Sequence, residues 1–581
     1  MSSPFYGLDI GASALRAAQQ MLDTAAHNVA NANTPGYSRQ VVSLVEAPPY
    51  TFPAFNRSGL PGQIGSGVSV AAITRVRDNF LDLQVQAQTA LKGEWDTRQQ
   101  ELAKVEAIFP EPSDSALGSV ISKYWSAWQD LASNPTSTAA RTALTEQAAS
   151  LAMEMNRDST QLGMIAAGID GQVSQRIGTV NDLAKQIASL NGQIQRVTIT
   201  GDHANDLQDQ REQLLEKLSA IVPATTMTQA DGTLSVLVGG TDLVNGVYAR
   251  QLVAATDPTT GHVTPTWADG SAVALPTGQM KALLEVRDGD LVSYRSQLDA
   301  LAKGIADSTN ALHGRGIDAY GNSGQPIFTY HAGNVAGTLD VNPAVAADPR
   351  LVAAAALSNA PGDGSVAGLI ADLGNARSYA AGVAGTDIVG GMDITTGSTA
   401  HLATISVGGA VGQTYTFAGA GAGLTLTGAD GSSQTINVAD IAAGGTETLN
   451  FDQLGIKLTV NAGAAPKTGA DLVTDLTTAG HNTIVAASLY SPSQTTTDFY
   501  AGLIGKIGTA SAQAAEMSKN QQLVVDQLTT RVQEVSGVSL DEEATDMVRF
   551  QHAYQAAARV ITTMDEMLNT LINGTGLVGR G

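Results

Sequence analysis

Apolar positions at the two ends of the chain repeat every seven residues. Leu8, Leu15, Leu22 and Val29 form one row, and Gly11, Ala18, Ala25 and Ala32 follow them at the i+3 positions. Near the C-terminus, Leu540, Met547, Tyr554, Ile561 and Leu568 form a second row, accompanied by Phe550, Ala557, Met564 and Leu571. A sustained seven-residue period predicts helices that pack along a common seam. The first stripe is small-sided and the second carries bulky knobs, so the two suit each other. Only Asp9, Arg16 and Asp23 interrupt the first segment with charge before Arg39. That bare circumference points to packing among many subunits, where apolar burial contributes about 25 cal/mol per Å². Before assembly, both terminal segments are expected to be mobile.

Between these ends the period changes several times. Residues 1–33 read as helix, stopped at Asn33-Thr-Pro-Gly36, where Pro35 removes a donor and Gly36 permits a turn. Residues 37 to about 75 read as extended and irregular, and a helix follows over about 76–109. Ser113-Asp114 offers an N-cap for a helix presenting Leu117, Ile121, Tyr124, Trp128 and Leu131 on one face. Helical patterns continue over about 137–196 and 205–222. After Pro223 the period becomes two, with Leu234, Val236 and Val238 alternating and turn signals at Gly239-Gly240 and Asn245-Gly246. From near Gly278 a helix carries the row Leu284, Leu291, Leu298, Ile305 and Leu312. Residues 384–489 are rich in Gly, Thr and Ala with short alternating runs, the pattern of a small inserted β domain. Helix returns over about 496–535 and again after Ser536-Gly537, where Asp541-Glu542-Glu543 favour a helix N-terminus.

This order predicts a multidomain α+β chain, elongated, with the terminal heptad helices and a long-helix bundle at one end and β-rich domains inserted towards the other. The expected divisions are 1–40 with 540–581 as a terminal coiled coil for an inner tube; 41–222, 278–318 and 490–539 as a helical bundle; 223–277 and 319–383 as a β-rich domain; and 384–489 as the inserted β domain. A length of 581 residues agrees with several cores rather than one.

Charge and composition exclude more than they assign. A net charge of −22 argues against nucleic acid, which requires concentrated Lys and Arg. No apolar run reaches the roughly 18 residues of a membrane-spanning helix, so no membrane insertion is expected. The N-terminus has neither a basic n-region nor an apolar h-region, which predicts no cleaved signal peptide. Cysteine is absent, so disulfides and thiolate metal sites are excluded.

Catalytic signatures are missing from the sequence: no HExxH, no phosphate-binding Gly-x-x-x-x-Gly-Lys and no EF-hand spacing. No enzyme activity, cofactor or metal is therefore expected. The Gly419–Gly423 run reads as a loop. His313 near Asp318 reads as a capping or packing residue rather than a metal ligand. Asp202, Asp206 and Asp209 read as carboxylates at a helix start that complement its dipole and cap it, rather than as a carboxylate cluster with chemistry. Trp125 and Trp128 read as core.

Two motifs carry a resemblance. Ala30-Asn-Ala-Asn-Thr-Pro-Gly-Tyr37, containing Asn31, Asn33, Thr34, Pro35, Gly36 and Tyr37, is similar to a motif shared by bacterial flagellar rod, hook and hook-associated proteins. Ser536-Gly-Val-Ser-Leu-Asp-Glu-Glu-Ala544 and the helix after it resemble that group's C-terminal pattern. Interior segments narrow the resemblance to the hook-associated protein 1 family: Trp128-Gln-Asp-Leu-Ala-Ser-Asn-Pro135, Asn205-Asp-Leu-Gln-Asp-Gln-Arg211, Arg287-Asp288 and Asn310-Ala-Leu-His-Gly-Arg-Gly-Ile-Asp318. It covers about 1–330 and 490–581. The resemblance implies a structural axial protein of the hook–filament junction, extracellular, exported through the flagellar type III channel. It implies as partners further copies in a ring, the hook protein, the third hook-associated protein, and an export chaperone on the C-terminal helix. Alternatives are a hook, distal-rod or other hook-associated axial protein, or an outward-facing binding domain in 384–489.

Overall fold

In the computed structural model the described residues are 6–49, 65–114, 116–375, 401–407, 414–428, 433–443, 445–451, 456–461, 466–477, 483–485 and 495–574. In chain order the elements are α1 (Tyr6–Asn31), β1 (Gln40–Glu46), β2 (Val68–Arg75), α2 (Asn79–Glu106), α3 (Leu117–Ser133), α4 (Thr138–Ile199) and α5 (Asn205–Ile221). Six short strands follow: β3 (Ala224–Thr228), β4 (Leu234–Val238), β5 (Thr241–Asn245), β6 (Tyr248–Ala249), β7 (Leu252–Thr256) and β8 (Val263–Trp267). Next come α6 (Gln279–Glu285), a π-helical turn (Val286–Asp290), α7 (Leu291–His313), β9 (Phe328–Thr329), α8 (Val335–Thr338), β10 (Asp340–Val341), α9 (Pro343–Ala347) and α10 (Ser365–Asp372). The inserted region holds β11 (His401–Val407), β12 (Thr414–Ala420), β13 (Gly423–Gly428), β14 (Ser433–Asn437), β15 (Thr446–Phe451), β16 (Ile456–Asn461), α11 (Gly469–Thr477) and β17 (Thr483–Val485). The chain closes with α12 (Thr496–Ser536) and α13 (Leu540–Gly574). The result is a multidomain α+β chain dominated by long helices.

Contacts divide it into two compact units. The first comprises residues 1–99, 169–284 and 514–581. It contains α1 and α13, and also β3–β8, which the sequence reads as part of a β-rich insertion. Strands β3 to β6 form one antiparallel sheet in sequence order. The Gly239-Gly240 connection between β4 and β5 has φ of +57° and +84°, as a two-residue type I′ hairpin requires. Val236, Val238 and Val244 bury the inner face of this sheet.

Polar side chains of α4 grip the strands by their backbone. Asn191 accepts from the Leu234 N–H at 3.2 Å and donates to the Leu234 and Gly246 carbonyls at 2.8 and 2.7 Å. Asn181 accepts from the Leu252 N–H and donates to the Leu252 carbonyl, both at 2.8 Å. Asp170 accepts from the Val263 N–H at 3.0 Å and pairs with the His262 ring at 2.9 Å. A carboxamide offers a donor and an acceptor side by side, so it satisfies strand-edge groups much as a neighbouring strand would.

The second unit comprises residues 100–168 and 285–513. Leu117, Ile121, Tyr124, Trp128 and Leu131 of α3 are buried, the face the sequence predicts. The Tyr124 hydroxyl meets the Thr309 hydroxyl at 3.0 Å, and its ring packs on Phe328. Ser113 and Asp114 do not cap α3. Its N-cap is Ala116, and Glu111 accepts from the Gly118 N–H at 3.1 Å instead. In the helix from Gln279 to His313, Leu291, Leu298, Ile305 and Leu312 are buried, but upstream it is Leu283, not the expected Leu284, that enters the core.

The inserted region folds into a four-stranded sheet ordered β14-β13-β12-β17 and a three-stranded sheet ordered β11-β16-β15. Leu424 and Leu426 alternate inward along β13, and Phe417, Phe451 and Leu472 are buried with them. The Gly419–Gly423 run forms the β12–β13 hairpin, with Gly421 at φ +61°. Residues 384–400 lie outside the described residues.

His313 is fully buried at the end of α7. Its Nδ1 lies against the Gln325 carbonyl, and Nε2 accepts from the Ala353 N–H at 2.7 Å. Both ring nitrogens are used without a metal, which makes it a packing histidine. Burial pushes its pKa down to about 4. Because the folded value lies below the ordinary 6.5, the neutral ring stabilises the fold above pH 6.5. That contribution is lost as pH falls through about 4, to a total on the order of 3 kcal/mol. His313→Gln is expected to flatten this part of the stability-versus-pH curve. Superimposable slopes for both proteins in chemical denaturation from pH 7 to 4 would contradict it.

Candidate assembly interface

α1 and α13 pack against each other antiparallel. A Cβ built on Gly7 would lie 2.7 Å from Met564 Cε, and one on Gly11 would lie 2.8 Å from Ile561 Cγ1. At the other end of the pair, Asn28 donates to Glu543 at 3.1 Å. The 21 residues from Gly7 to Asn28 are therefore matched by 21 from Met564 back to Glu543, three heptads in register.

The seam is made by the small row. Gly11, Ala18 and Ala25 of α1 and Ala557 of α13 are buried. Leu8, Leu15, Leu22, Met547, Tyr554, Ile561 and Leu568 are half-buried, and Val29 and Leu540 are 38% and 52% exposed. The leucine row thus flanks the contact, because glycine and alanine allow the helices to approach closely and leave longer side chains to the margins. Large apolar side chains also stay exposed: Val548, Met567 and Leu571 of α13 are 48–56% exposed. Their burial requires a further surface.

A polar hub fastens the pair at its inner end. The Asn28 side chain is 1% exposed and uses its full hydrogen-bonding capacity. Its Nδ2 donates to the Gln40 carbonyl at 2.9 Å and to Glu543, and its Oδ1 accepts from the Tyr37 hydroxyl at 2.8 Å and the Gln40 N–H at 3.0 Å. Arg39 donates its backbone N–H to the Ser536 carbonyl at 2.8 Å and its guanidinium to Glu542 at 2.8 Å. Burial raises the Glu543 carboxyl above its ordinary pKa, against the opposing effect of the Asn28 hydrogen bond. Burial, then Asp206 and Asp209, push the Tyr37 phenol up.

The Asn31–Tyr37 motif forms a turn that docks on α5. Asn31 donates to the His27 carbonyl at 3.1 Å and accepts from the Thr34 hydroxyl at 3.2 Å. Asn33, Thr34, Pro35 and Gly36 are exposed. The Pro35 carbonyl accepts from Gln213 at 2.6 Å. Gly36 sits at φ +76°, a backbone conformation that favours glycine, and a Cβ there would displace the Gln213 side chain.

Asp209 lies beneath this turn and is no helix cap. Its carboxylate accepts from the Ser38 N–H at 2.9 Å, the Ser38 hydroxyl at 2.7 Å and Arg75 at 2.7 Å, while Arg77 stands at 3.8 Å. Asp206 accepts from Gln40 at 2.8 Å and Asp202 from Thr200 at 3.2 Å. The N-cap of α5 is Ala204, with no side-chain bond. Asn28, Ser38, Gln40, Arg75 and Arg77 are thus the hub residues that the sequence pattern does not single out, and Asp209 is one that it reads in another role. Asn28 does leave a trace there, as a polar residue on a helix face with Met21 and Ala25.

Among the described residues, no group of three His, Cys, Asp or Glu side chains is placed to hold a metal ion, and no helix is long and apolar enough to cross a membrane. The arrangement offers surfaces for packing.

Three segments of the chain match flagellar protein families. Residues 8–37, which include most of α1 and the docking turn, match the family of flagella basal body rod proteins. Residues 530–574 match the C-terminal family of flagellar basal body rod FlgEFG proteins, and 102–328 match the flagellar hook-associated protein FlgK helical domain. The chain is 29% identical to flagellar hook-associated protein 1 of Bacillus subtilis, covering all of both proteins. It is 30% identical to flagellar hook-associated protein 1 of Escherichia coli, over 97% of this chain and 98% of that one. The solved flagellar hook junction protein FlgK from Burkholderia pseudomallei has the same fold, with a TM-score of 0.52 at 19% identity over 78% of this chain and all of that one. The chain belongs to the flagellar hook-associated protein 1 family and is a structural component of the bacterial flagellum.

Proposed function

We propose that this protein forms the hook–filament junction as a ring of copies, seated on the hook protein and followed by the third hook-associated protein. The observation that carries this reading is the α1–α13 pair, whose seam is closed by small residues while large apolar side chains remain exposed. In the ring these outer residues pack against neighbouring copies in an inner tube. The role is structural, with no catalytic step. The chain leaves the cell through the flagellar type III channel, and a chaperone covers the C-terminal helix until then. Cells lacking the protein are expected to assemble hooks without filaments and to shed filament subunits into the medium. Normal filaments in such cells would overturn the proposal.

Within this role the domain at 384–489 faces outward. Its support is a hydrophobic core of its own, around Phe417, Leu424, Leu426 and Phe451. Replacing 384–489 by a short linker is expected to leave the helical circular dichroism of the rest and swimming intact, since closure entropy grows only logarithmically with loop length. Collapse of the helical signal would make the segment part of the main core.

A further inference from the structure

Asp158 of α4 is 1% exposed, a depth at which a carboxylate needs full pairing. Its Oδ1 accepts from Arg157 Nε at 3.3 Å and Nη2 at 3.1 Å. The same Nη2 also pairs with Glu154, whose side chain is 13% exposed. Arg157 is itself 43% exposed, so one half-solvated guanidinium serves two carboxylates. A third acid, Glu111, precedes α3; it accepts from the Gly118 N–H at 3.1 Å and is hydrogen-bonded to Tyr500 of α12, which is 3% exposed. Asp340 of β10 lines a cleft with Arg157, and Asp114 lines another with Glu111 and Tyr500. Lys123, the cation of α3, donates to the Asp114 carbonyl at 2.8 Å. Acids thus outnumber the cation that Asp158 meets.

We propose that this cluster is a proton-held contact of the second unit: Asp158 keeps a proton on the acid side of neutrality beside Glu154 and Glu111, and its release on the alkaline side loosens the meeting of α4, α12 and the segment before α3. Neighbouring carboxylates in a buried site cannot all ionise without cost. Burial pushes the Asp158 carboxyl up to about 7, with Arg157 opposing and Glu154 and Glu111 adding to the rise. Burial raises Glu154 as well. Because the folded value of Asp158 lies above the ordinary 3.8, the stabilisation is complete below 3.8 and is lost as pH rises through about 7. The contact goes beyond the assembly role proposed above and does not depend on it.

Denaturant titration of the full-length chain tests the contact, with Asp158→Asn beside the parent. The carboxamide has the shape of the protonated acid and carries no charge at any pH. From pH 6 to pH 8.5 the unfolding constant of the second unit should rise about tenfold in the parent relative to Asp158→Asn. His313 titrates in both proteins and cancels from that ratio. Infrared spectra of the folded parent should show a protonated-carboxyl band at pH 6 that fades with a midpoint near 7 and is weaker in Asp158→Asn. A constant ratio across that range would overturn the proposal. So would a folded parent without the band at pH 6, a result that stands even if the variant fails to fold.

Discussion

Replacing Ile561 with aspartate is expected to abolish swimming while leaving the middle of the protein folded. Ile561 lies against Gly11, where even a methyl group would stand only 2.8 Å from its Cγ1. Aspartate there would set a carboxylate against the small-residue seam in place of an apolar side chain. An unpaired charge held in such a contact costs several kcal/mol, enough to separate the helices over the three matched heptads. Leu15→Asp should act in the same direction, since Leu15 is half-buried as Ile561 is. The measurement is swimming, together with helical circular dichroism of the purified protein and a count of filament subunits in the culture medium. A motile Ile561→Asp strain would remove the α1–α13 seam from the account of assembly.

The second large effect is expected at Asp209. Its carboxylate is the common acceptor of the Ser38 backbone, the Ser38 hydroxyl and Arg75, with its side chain 5% exposed. Asp209→Ala leaves the Arg75 cation, 14% exposed, without its nearest counter-charge and strands two donors from Ser38. Breaking a buried pair by removing one partner typically destabilises by about 3–5 kcal/mol. Asp209→Asn keeps an acceptor for Ser38 and should lose less. The pair of variants separates charge from hydrogen bonding in a denaturant titration of the first unit. Equal midpoints for Asp209→Ala and the parent would mean that the docking turn is held by Gln213 and Asn28 alone.

The periodic elements were legible in the sequence because their signal is local. The seven-residue rows lead directly to α1 and α13, the alternation of Leu234, Val236 and Val238 to β4, and the amphipathic stripe of Leu117 to Leu131 to α3. Features that depend on partners distant in the chain were not legible. The Asp209 carboxylate resembles a cap in sequence, but its ligands come from residues 38 and 75, more than a hundred positions away. The one-residue shift at Val286–Asp290 is invisible to a heptad count, since Leu283 and Leu284 are both leucines and only tertiary packing selects between them. Likewise the period placed the leucines and the glycines and alanines on one face without telling which of the two rows makes the contact, because it reports which faces are apolar and not how closely two backbones approach.

The three grips on α4 fall at Asp170, Asn181 and Asn191, separated by eleven and ten residues. Three turns of α-helix take about 10.8 residues, so Asp170 and Asn181 emerge on nearly the same line of the cylinder, while the ten-residue step leaves Asn191 about 80° round from Asn181. The helix is thereby a ruler, and its graduations fix where β4, β7 and β8 begin. Such a ruler tolerates changes of composition between its marks, yet it has no tolerance for changes of length. A single residue inserted between 181 and 191 would turn the later mark by about 100° away from Leu234. Relatives of this chain should therefore vary freely in sequence along that span while keeping its residue count constant.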